Sequence, residues 1–276
     1  MAITAADVNK LRQMTGSGMM DCKNALVEAE GDFDKAVDIL RKKGQKIAAK
    51  RADRNANEGF VVAKTTEDRT FGIVLMVNCE TDFVGKTADF TGFANALADL
   101  AIAKHITTKE DLMKADFNGQ TVEASLTEMS GKTGEKVELN GFASLEKPFV
   151  NAYNHMGNRL AVIVGFNKGG DAIAETAHEI AMQIAAMNPL GVTEKEIPQE
   201  VIDRELEVAR EQVRNEGKPE NMIEKIAQGK LNKFFKENTL LHQEFIRDSK
   251  MSVAEYMQKA DKELTCEGFF RIQLGA

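Results

Sequence analysis

The first 44 residues of the chain carry apolar side chains at helical spacing. Val8, Leu11 and Met14 recur every third residue, which favours an amphipathic helix. Two further stripes follow, each after a break that contains Gly or Asp: Cys22, Ala25, Leu26 and Ala29, then Phe33, Ala36, Val37 and Leu40. The pattern predicts three short helices that form one compact module over residues 1–44.

Basic side chains dominate the next stretch. Residues 41–54 are rich in Lys and Arg and poor in large apolar residues, and we interpret residues 45–58 as a basic linker, extended or helical. Its charges would contact phosphates or an acidic partner surface, or they would only keep a connector solvated. The composition favours the solvated connector.

The period of the pattern changes at residue 60. The runs FVVAKTT and FGIVLMVNC are rich in β-branched and aromatic residues and flank a short polar turn, which predicts a β-hairpin followed by a helix that starts at Thr87. The second run is nearly all apolar and should be buried on both faces. A similar order of two strands and a helix returns after residue 149. We therefore expect an α+β core of two related halves, residues 59–140 and 141–276.

A helical hairpin is expected within the second half, at about residues 196–238. Its first helix carries an apolar stripe that advances by four, three and four residues: Ile202, Leu206, Ala209 and Val213. The polar stretch NEGKPEN then reverses the chain, and a second stripe returns from Met222. This spacing is typical of an antiparallel coiled coil. The predicted fold class is α+β multidomain, with a three-helix module, two core halves and an inserted coiled-coil hairpin.

Charge and hydropathy limit the classes of partner and the cellular compartment that we expect for the protein. The net charge of −7 gives no general attraction to nucleic acid or to anionic lipid, so we expect no direct nucleic-acid partner. The N-terminal residues lack a signal-peptide pattern, and no apolar run reaches the ~18 residues of a membrane helix. We expect a cytoplasmic protein with no membrane partner.

No pattern in the sequence predicts catalysis, a metal site or a cofactor. The four histidines form neither HExxH nor a His/Cys cluster, and His178 lies in an apolar helix where a buried core histidine is expected. Cys22, Cys79 and Cys266 are widely spaced, and we expect them to be buried free thiols. Glycine-rich phosphate-binding loops are absent from the sequence. We therefore expect no enzyme, no catalytic residue and no cofactor.

Two stretches instead place apolar residues in turns, where a core cannot easily use them. Met19 and Met20 follow a Gly-rich break, and Phe83 follows Asp82 directly after the buried strand. A flexible Met side chain suits the apolar groove of a partner. Spacing alone leaves open whether Met19 and Met20 contact a partner or pack within the helical module.

Several motifs together resemble bacterial translation elongation factor Ts. They are LRQMTGSGMMDCKNALVEAEGDFDKAVDIL, VNCETDFV, YNHMGNRLAVIV, EIAMQIAAMNP and TCEGFFRIQLG, and they span essentially the whole chain in order. The resemblance implies that the three-helix module is ubiquitin-associated-like (UBA-like). It also implies a core of two related halves with an inserted coiled-coil hairpin.

The resemblance further implies a guanine nucleotide exchange factor for the GTPase elongation factor Tu. In that family the TDFV motif enters the GTPase beside its magnesium site and promotes GDP release, which here assigns the role to Thr81, Asp82, Phe83 and Val84. Less specific partner contacts are implied for Arg12, Met19, Met20 and His155. A homodimer, or a heterotetramer with the partner, is compatible with the resemblance.

The sequence departs from the family pattern in two places, and it is compatible with one alternative function. Met156 and Asn158 replace small residues before Arg159, and the C-terminal helix of many members is not expected after the last strand. The alternative is a ribosome- or RNA-associated protein that uses the basic segment 41–54, which would bind less well as salt rises. An enzyme that uses Cys79 and His155 is disfavoured, because nothing in the sequence brings them together.

Overall fold

A computed structural model describes residues 3–275. Its N-terminal part consists of three helices, α1 (Ala5–Thr15), α2 (Met19–Glu28) and α3 (Phe33–Lys50). Their shared core is made of small and medium apolar side chains: Val8, Leu11, Cys22, Ala25, Leu26, Ala29 and Ala36. The third helix does not end at Gly44 but runs on to Lys50, so the first part of the basic segment is helical.

The α3 helix lies against a later helix, α7 (Val122–Thr133). Gly44 and Gly131 face each other at the crossing, where a Cβ on Gly131 would lie only 2.5 Å from the Gly44 Cα. Two glycines at a helix crossing let the backbones approach closely. The helical module is therefore packed on the core and not only tethered to it.

The first half of the core is a three-stranded antiparallel sheet in the order β1-β2-β5. These strands are β1 (Glu58–Thr65), β2 (Phe71–Cys79) and β5 (Glu138–Glu146). Between β2 and β5 the chain forms α4 (Asp82–Gly85), α5 (Ala88–Ala103), α6 (Lys109–Lys114), the short strands β3 (Asp116–Phe117) and β4 (Gln120–Thr121), and α7.

Burial of β2 on both faces is confirmed. On one face Ile73, Leu75 and Val77 pack in a cluster with the α5 side chains Phe90 and Leu97. On the other face Val74 packs against the second half of the core. The central strand of a sheet covered on both sides needs apolar residues at nearly every position, which explains its apolar sequence up to Asn78.

The second half repeats the arrangement with a sheet in the order β10-β7-β6. Its strands are β6 (Phe149–Asn154), β7 (Leu160–Phe166) and β10 (Cys266–Gln273), and α8 (Asp171–Met187) packs on one face. The small strands β8 (Glu244–Phe245) and β9 (Asp248–Ser252) and the helix α11 (Val253–Ala260) complete this half. The two sheets face each other through Val61, Val74, Val150, Ala161 and Ile163.

A pair of helices extends from the second half, α9 (Gln199–Asn215) and α10 (Glu220–Asn238). Ion pairs join Arg214 to Glu220 near the turn and Arg210 to Glu224 farther from it, so the helices run antiparallel. The buried contacts between them are small or aliphatic: Ala209, Val213, Ile223, Ala227 and Leu231.

Two expectations about single residues have opposite outcomes. All three cysteines are free and buried, as predicted. The prediction of a buried His178 is wrong, since its side chain is exposed and meets the Tyr153 ring edge-on at 5.5 Å. The α8 face that covers the sheet is formed by Ile173, Ala177, Ile180, Ala181 and Ile184, which leaves position 178 beside it.

Across residues 3–275 no helix is both long enough and apolar enough to cross a bilayer.

Candidate interaction surface

The 81–84 segment starts where the buried strand β2 ends, and it forms the first part of the short helix α4. The Thr81 hydroxyl caps this helix by accepting a hydrogen bond from the Val84 amide at 3.4 Å. Val84 packs against the core beneath, whereas the Phe83 ring is 82% exposed. One aromatic ring therefore stands free on a segment that is anchored on both sides of it.

Glu135 ties the start of this segment to the connection between α7 and β5. One carboxylate oxygen accepts hydrogen bonds from the backbone amides of Thr81 at 3.0 Å and Glu80 at 3.1 Å. The other oxygen accepts from the Thr81 hydroxyl at 2.6 Å. Three donors on one carboxylate hold the segment more firmly than neutral hydrogen bonds would.

Glu80 makes the reciprocal contact. Its carboxylate accepts a hydrogen bond from the Lys136 amide at 2.7 Å, and its two oxygens both accept from Nη1 of Arg51, at 2.7 and 2.8 Å. Partial desolvation raises the pKa of Glu80, but the Lys136 amide and the Arg51 guanidinium outweigh it, so the pKa lies below its usual value. Glu80 is ionised at neutral pH, and it joins the end of α3 to the 81–84 segment.

Glycine backbone and a buried thiol form the floor under the segment. Gly59 has a φ of +146°, and a Cβ there would lie 2.8 Å from the Asn78 Cα. A Cβ on Gly85 would lie 3.2 Å from the Gly59 carbonyl oxygen. Cys79 donates from its thiol to the Thr81 carbonyl at 3.1 Å, and burial, with the nearby Glu135 charge, raises the pKa of Cys79 to about 12. The thiol stays protonated and supports the turn.

Asp82 lies at the exposed start of α4. Its carboxylate pairs with the Lys86 ammonium one helical turn later at 2.6 Å. This hydrogen bond and the Lys86 charge lower the pKa of Asp82. A partly exposed pair of this kind contributes little to stability, so Asp82 can exchange Lys86 for another polar partner at small cost.

A second exposed turn, residues 155–158 between β6 and β7, lies at the same end of β1. Asn158 exchanges hydrogen bonds with Val61, accepting from its amide at 2.7 Å and donating to its carbonyl at 3.1 Å. Arg159 pairs with Glu58, which lies opposite Cys79 in the β1–β2 ladder. Its hydrogen bond to Glu58 raises the pKa of Arg159, and the Asp82 charge adds to this effect. The turn and the 81–84 segment therefore share one edge of the molecule.

His155 and Met156 are the exposed side chains of this turn. The His155 ring meets the Tyr153 hydroxyl at 2.9 Å through Nδ1, and the Met156 side chain is 89% exposed. Gly157 and Asn158 take the left-handed conformation, with φ of +78° and +50°. Asn tolerates this conformation better than most residues, which accounts for its presence where the family pattern has a small residue.

Arg12, Met19 and Met20 are exposed on the helical module. Met19 is 46% and Met20 is 62% exposed, so neither is enclosed by the three helices. The turn between α1 and α2 lies against Lys132, because a Cβ on Gly16 would fall on that side chain. Lys132 in turn pairs with Asp89 at 2.8 Å, at the start of α5. The module thus adjoins the helix that follows the 81–84 segment.

Comparison with known proteins decides the family. A family model described as Elongation factor TS matches residues 80–276. The chain belongs to the elongation factor Ts family. An elongation factor Ts from Christiangramia forsetii is 53% identical over 273 residues, which is 99% of each chain. Those of Flavobacterium psychrophilum, at 50% identity over 99% of each chain, and Amoebophilus asiaticus, at 48% over 100% of each, are similar over the full length as well.

The region matched by the elongation factor Ts model starts at Glu80, so it includes the 81–84 segment, Glu135 and the 155–158 turn. The helical module lies outside that region but inside the full-length alignments with the relatives. Among residues 3–275 no three His, Cys, Asp or Glu side chains converge as metal ligands would.

The sequence motifs did not reveal Arg51 and Glu135 as partners of the 81–84 segment. Glu135 lies 54 residues from Thr81, and Arg51 lies 29 residues from Glu80. Both are charged residues in polar stretches, and their charge alone does not separate them from solvated neighbours. The Gly before Glu135 was the only local cue, because Gly134 ends α7 in a left-handed conformation and points the next residue away from the helix.

Proposed function

We propose that this protein is a guanine nucleotide exchange factor that binds elongation factor Tu in its GDP form and promotes GDP release during translation elongation. The observation that carries the proposal is the exposed Phe83 ring on a segment fixed by two carboxylates and a helix cap. Aromatic and Met side chains are enriched in protein–protein interfaces, and a rigidly held ring suits the role of an anchor that fills a pocket of the partner. Such a function places the protein in the cytoplasm.

The mechanism acts on the magnesium site of the partner. A GTPase holds GDP through a Gly-rich loop around the phosphates and a magnesium ion that bridges phosphate and protein oxygens. Phe83 enters between helices of the GTPase, while Asp82 leaves Lys86 and competes for polar groups that support the hydration shell of the ion. Thr81 and Val84 keep the ring and the carboxylate on a rigid mount. No covalent step occurs, so the protein is an exchange factor and not an enzyme.

Burial of the Phe83 ring in the partner contributes free energy to such a displacement. Full burial of a Phe side chain contributes about 1.5–3 kcal/mol, which offsets part of the cost of distorting the partner. By linkage, the factor by which this protein weakens GDP binding equals the factor by which GDP weakens the protein–protein complex. The complex with both GDP and this protein is therefore short-lived.

Other exposed residues extend the contact. Arg12, Met19 and Met20 on the UBA-like module and His155 in the 155–158 turn contribute further partner contacts in this proposal. The antiparallel pair α9 and α10 is the coiled-coil hairpin of the family and serves partner or self contacts. A homodimer or a heterotetramer with the partner is compatible with this arrangement.

The alternative of an RNA-associated protein rests on the basic segment 41–54. Two of its cations are already engaged within the molecule, Lys43 with Asp21 and Arg51 with Glu80. The exposed Lys43 pair is weak, but Arg51 is held by the less exposed carboxylate of Glu80 and is less available to a phosphate. The engagement of Arg51 within the molecule supports the exchange function over the RNA alternative.

The deciding experiment measures release of fluorescent GDP from elongation factor Tu in the presence of excess unlabelled GDP. We expect added protein to accelerate release in a saturable manner, at moderate and at high salt alike. Release without added protein is the control. An unchanged release rate contradicts the proposal, and binding to RNA that falls steeply with salt supports the alternative.

A further inference from the structure

The position of Phe83 depends on contacts that lie outside its own segment. An exposed aromatic ring gains free energy by folding back onto the nearest apolar surface, and the core under Val84 offers such a surface. Its backbone must be held in place for the ring to stay outward. The cap by Thr81 fixes only the Val84 amide, at a long 3.4 Å. The stronger restraints come from Glu135.

Glu135 is itself placed by the end of α7. Gly134 takes the left-handed conformation, with a φ of +71°, and its amide closes the helix on the Ser130 carbonyl at 2.9 Å. The next residue leaves the helix directly opposite the end of β2. Its three side-chain hydrogen bonds all go to Glu80 and Thr81, so the carboxylate serves this segment alone.

The restraint is reciprocal, because each connection contributes a carboxylate to the backbone of the other. Glu135 accepts from the amides that lead into the 81–84 segment, and Glu80 accepts from the amide of Lys136, the residue after Glu135. Arg51 balances the charge of Glu80 from the other side. Two crossed carboxylates fix both the distance and the orientation between the connections, which a single hydrogen bond cannot do.

We propose that Glu135 is a positioning residue of the exchange reaction, which holds the 81–84 segment so that Phe83 and Asp82 face the partner. This inference rests on the proposed exchange function, since it assigns Glu135 a role in delivering Phe83. Glu135 touches neither nucleotide nor magnesium ion in this role and acts only through Glu80 and Thr81.

The first test uses this protein alone and needs no partner. Glu135→Ala removes all three acceptor contacts, and we expect the amides of Glu80 and Thr81 to exchange hydrogen about tenfold faster, because hydrogen bonds to charged groups are worth more than neutral ones. Glu123→Ala is the matched control, since Glu123 is an exposed residue of α7 whose side chain makes no hydrogen bond within residues 3–275. Unchanged protection of the two amides in Glu135→Ala overturns the inference.

The second test asks whether Glu135 acts through Phe83. At saturating concentrations of this protein, Glu135→Ala should slow GDP release from elongation factor Tu by about tenfold, whereas Glu123→Ala should leave it unchanged. In a chain that already carries Asp82→Ala and Phe83→Ala, adding Glu135→Ala should cause no further slowing. A full additional tenfold loss in that background shows that Glu135 acts elsewhere and overturns the inference.

Conservative replacement separates positioning from folding. Glu135→Gln keeps one carbonyl acceptor for the two amides and should restore most of the amide protection and the release rate that Glu135→Ala loses. Thermal unfolding of each variant shows whether it is folded. If Glu135→Ala is not, Glu135→Asp carries the tests, since it keeps the charge but is one methylene too short to reach all three donors. Should the unmodified protein fail to accelerate GDP release, the exchange function is wrong, yet the hydrogen-exchange comparison still decides whether Glu135 holds the segment.

Discussion

Two neighbouring turns each expose one large apolar side chain, but they hold it in different ways. Phe83 is 82% exposed on a segment fixed by the carboxylates of Glu80 and Glu135. Met156 is 89% exposed in a turn shaped by the left-handed residues Gly157 and Asn158. Restraints on the first turn come from side chains distant in sequence, whereas those on the second are mostly local backbone conformations and the contacts with Val61.

The difference extends to the side chains themselves. Phe has only two rotatable side-chain bonds, so a fixed backbone leaves its ring few orientations, and less conformational entropy is lost when the ring is buried than for a longer side chain. Met has a longer, flexible side chain that adapts to the surface it meets. A rigid ring on a rigidly held segment is suited to pushing apart two packed elements of a partner. A flexible side chain on a turn suits an adaptable contact that adds area.

The largest effect is expected at Gly59, where the backbone under the 81–84 segment leaves no room for a side chain. Gly59→Ala places a Cβ 2.8 Å from the Asn78 Cα at a φ of +146°, and we expect the free energy of unfolding to fall by about 2–4 kcal/mol, because overpacking and backbone strain both contribute. Gly157→Ala is the control, since no atom lies within 4 Å of its Cβ and only the φ of +78° is unfavourable. It should cost about 1–2 kcal/mol in urea unfolding. Equal losses would show that the two turns are packed alike.

Removal of the ring should have the next largest effect. Phe83→Ala is expected to slow stimulated GDP release by roughly 10–100-fold, which corresponds to the loss of most of the free energy of burying a Phe. Stability should change little because the ring is 82% exposed, and urea unfolding serves as the check. A release rate equal to that of the unmodified protein would argue strongly against the insertion of Phe83 between helices of the partner.

A smaller effect should appear when the Glu80 carboxylate is neutralised by acid. Its pKa is lowered in the folded protein, so the unfolded chain binds the proton more readily and the contribution of Glu80 is lost as the pH falls through the folded pKa. The difference in unfolding free energy between the unmodified protein and Glu80→Gln should be largest at about pH 7 and shrink towards about pH 3. Other carboxylates titrate in both proteins and cancel. A difference that is constant with pH would show that the Glu80 charge does not stabilise the turn.

Local sequence signals predicted the elements of this molecule better than the contacts between them. The nearly continuous apolar run of β2 indicated a strand covered on both sides, and its burial is confirmed. His178 was misplaced because its helix is apolar around much of its circumference, so periodicity did not reveal which side meets the sheet. Glu135 was missed for another reason. Its partners lie 54 and 55 residues away, and only the tertiary fold brings the two connections together.

The smallest effect is expected from the second turn, and it is the result that tests the comparison most directly. Met156→Ala removes an exposed flexible side chain, and we expect stimulated GDP release to change by no more than about twofold, since most interface residues outside a few hot spots cost little when truncated. The same fluorescent release assay measures it beside Phe83→Ala. A loss as large as that of Phe83→Ala would mean that both turns open the partner. The carboxylates around the 81–84 segment would then not explain the difference between the two turns.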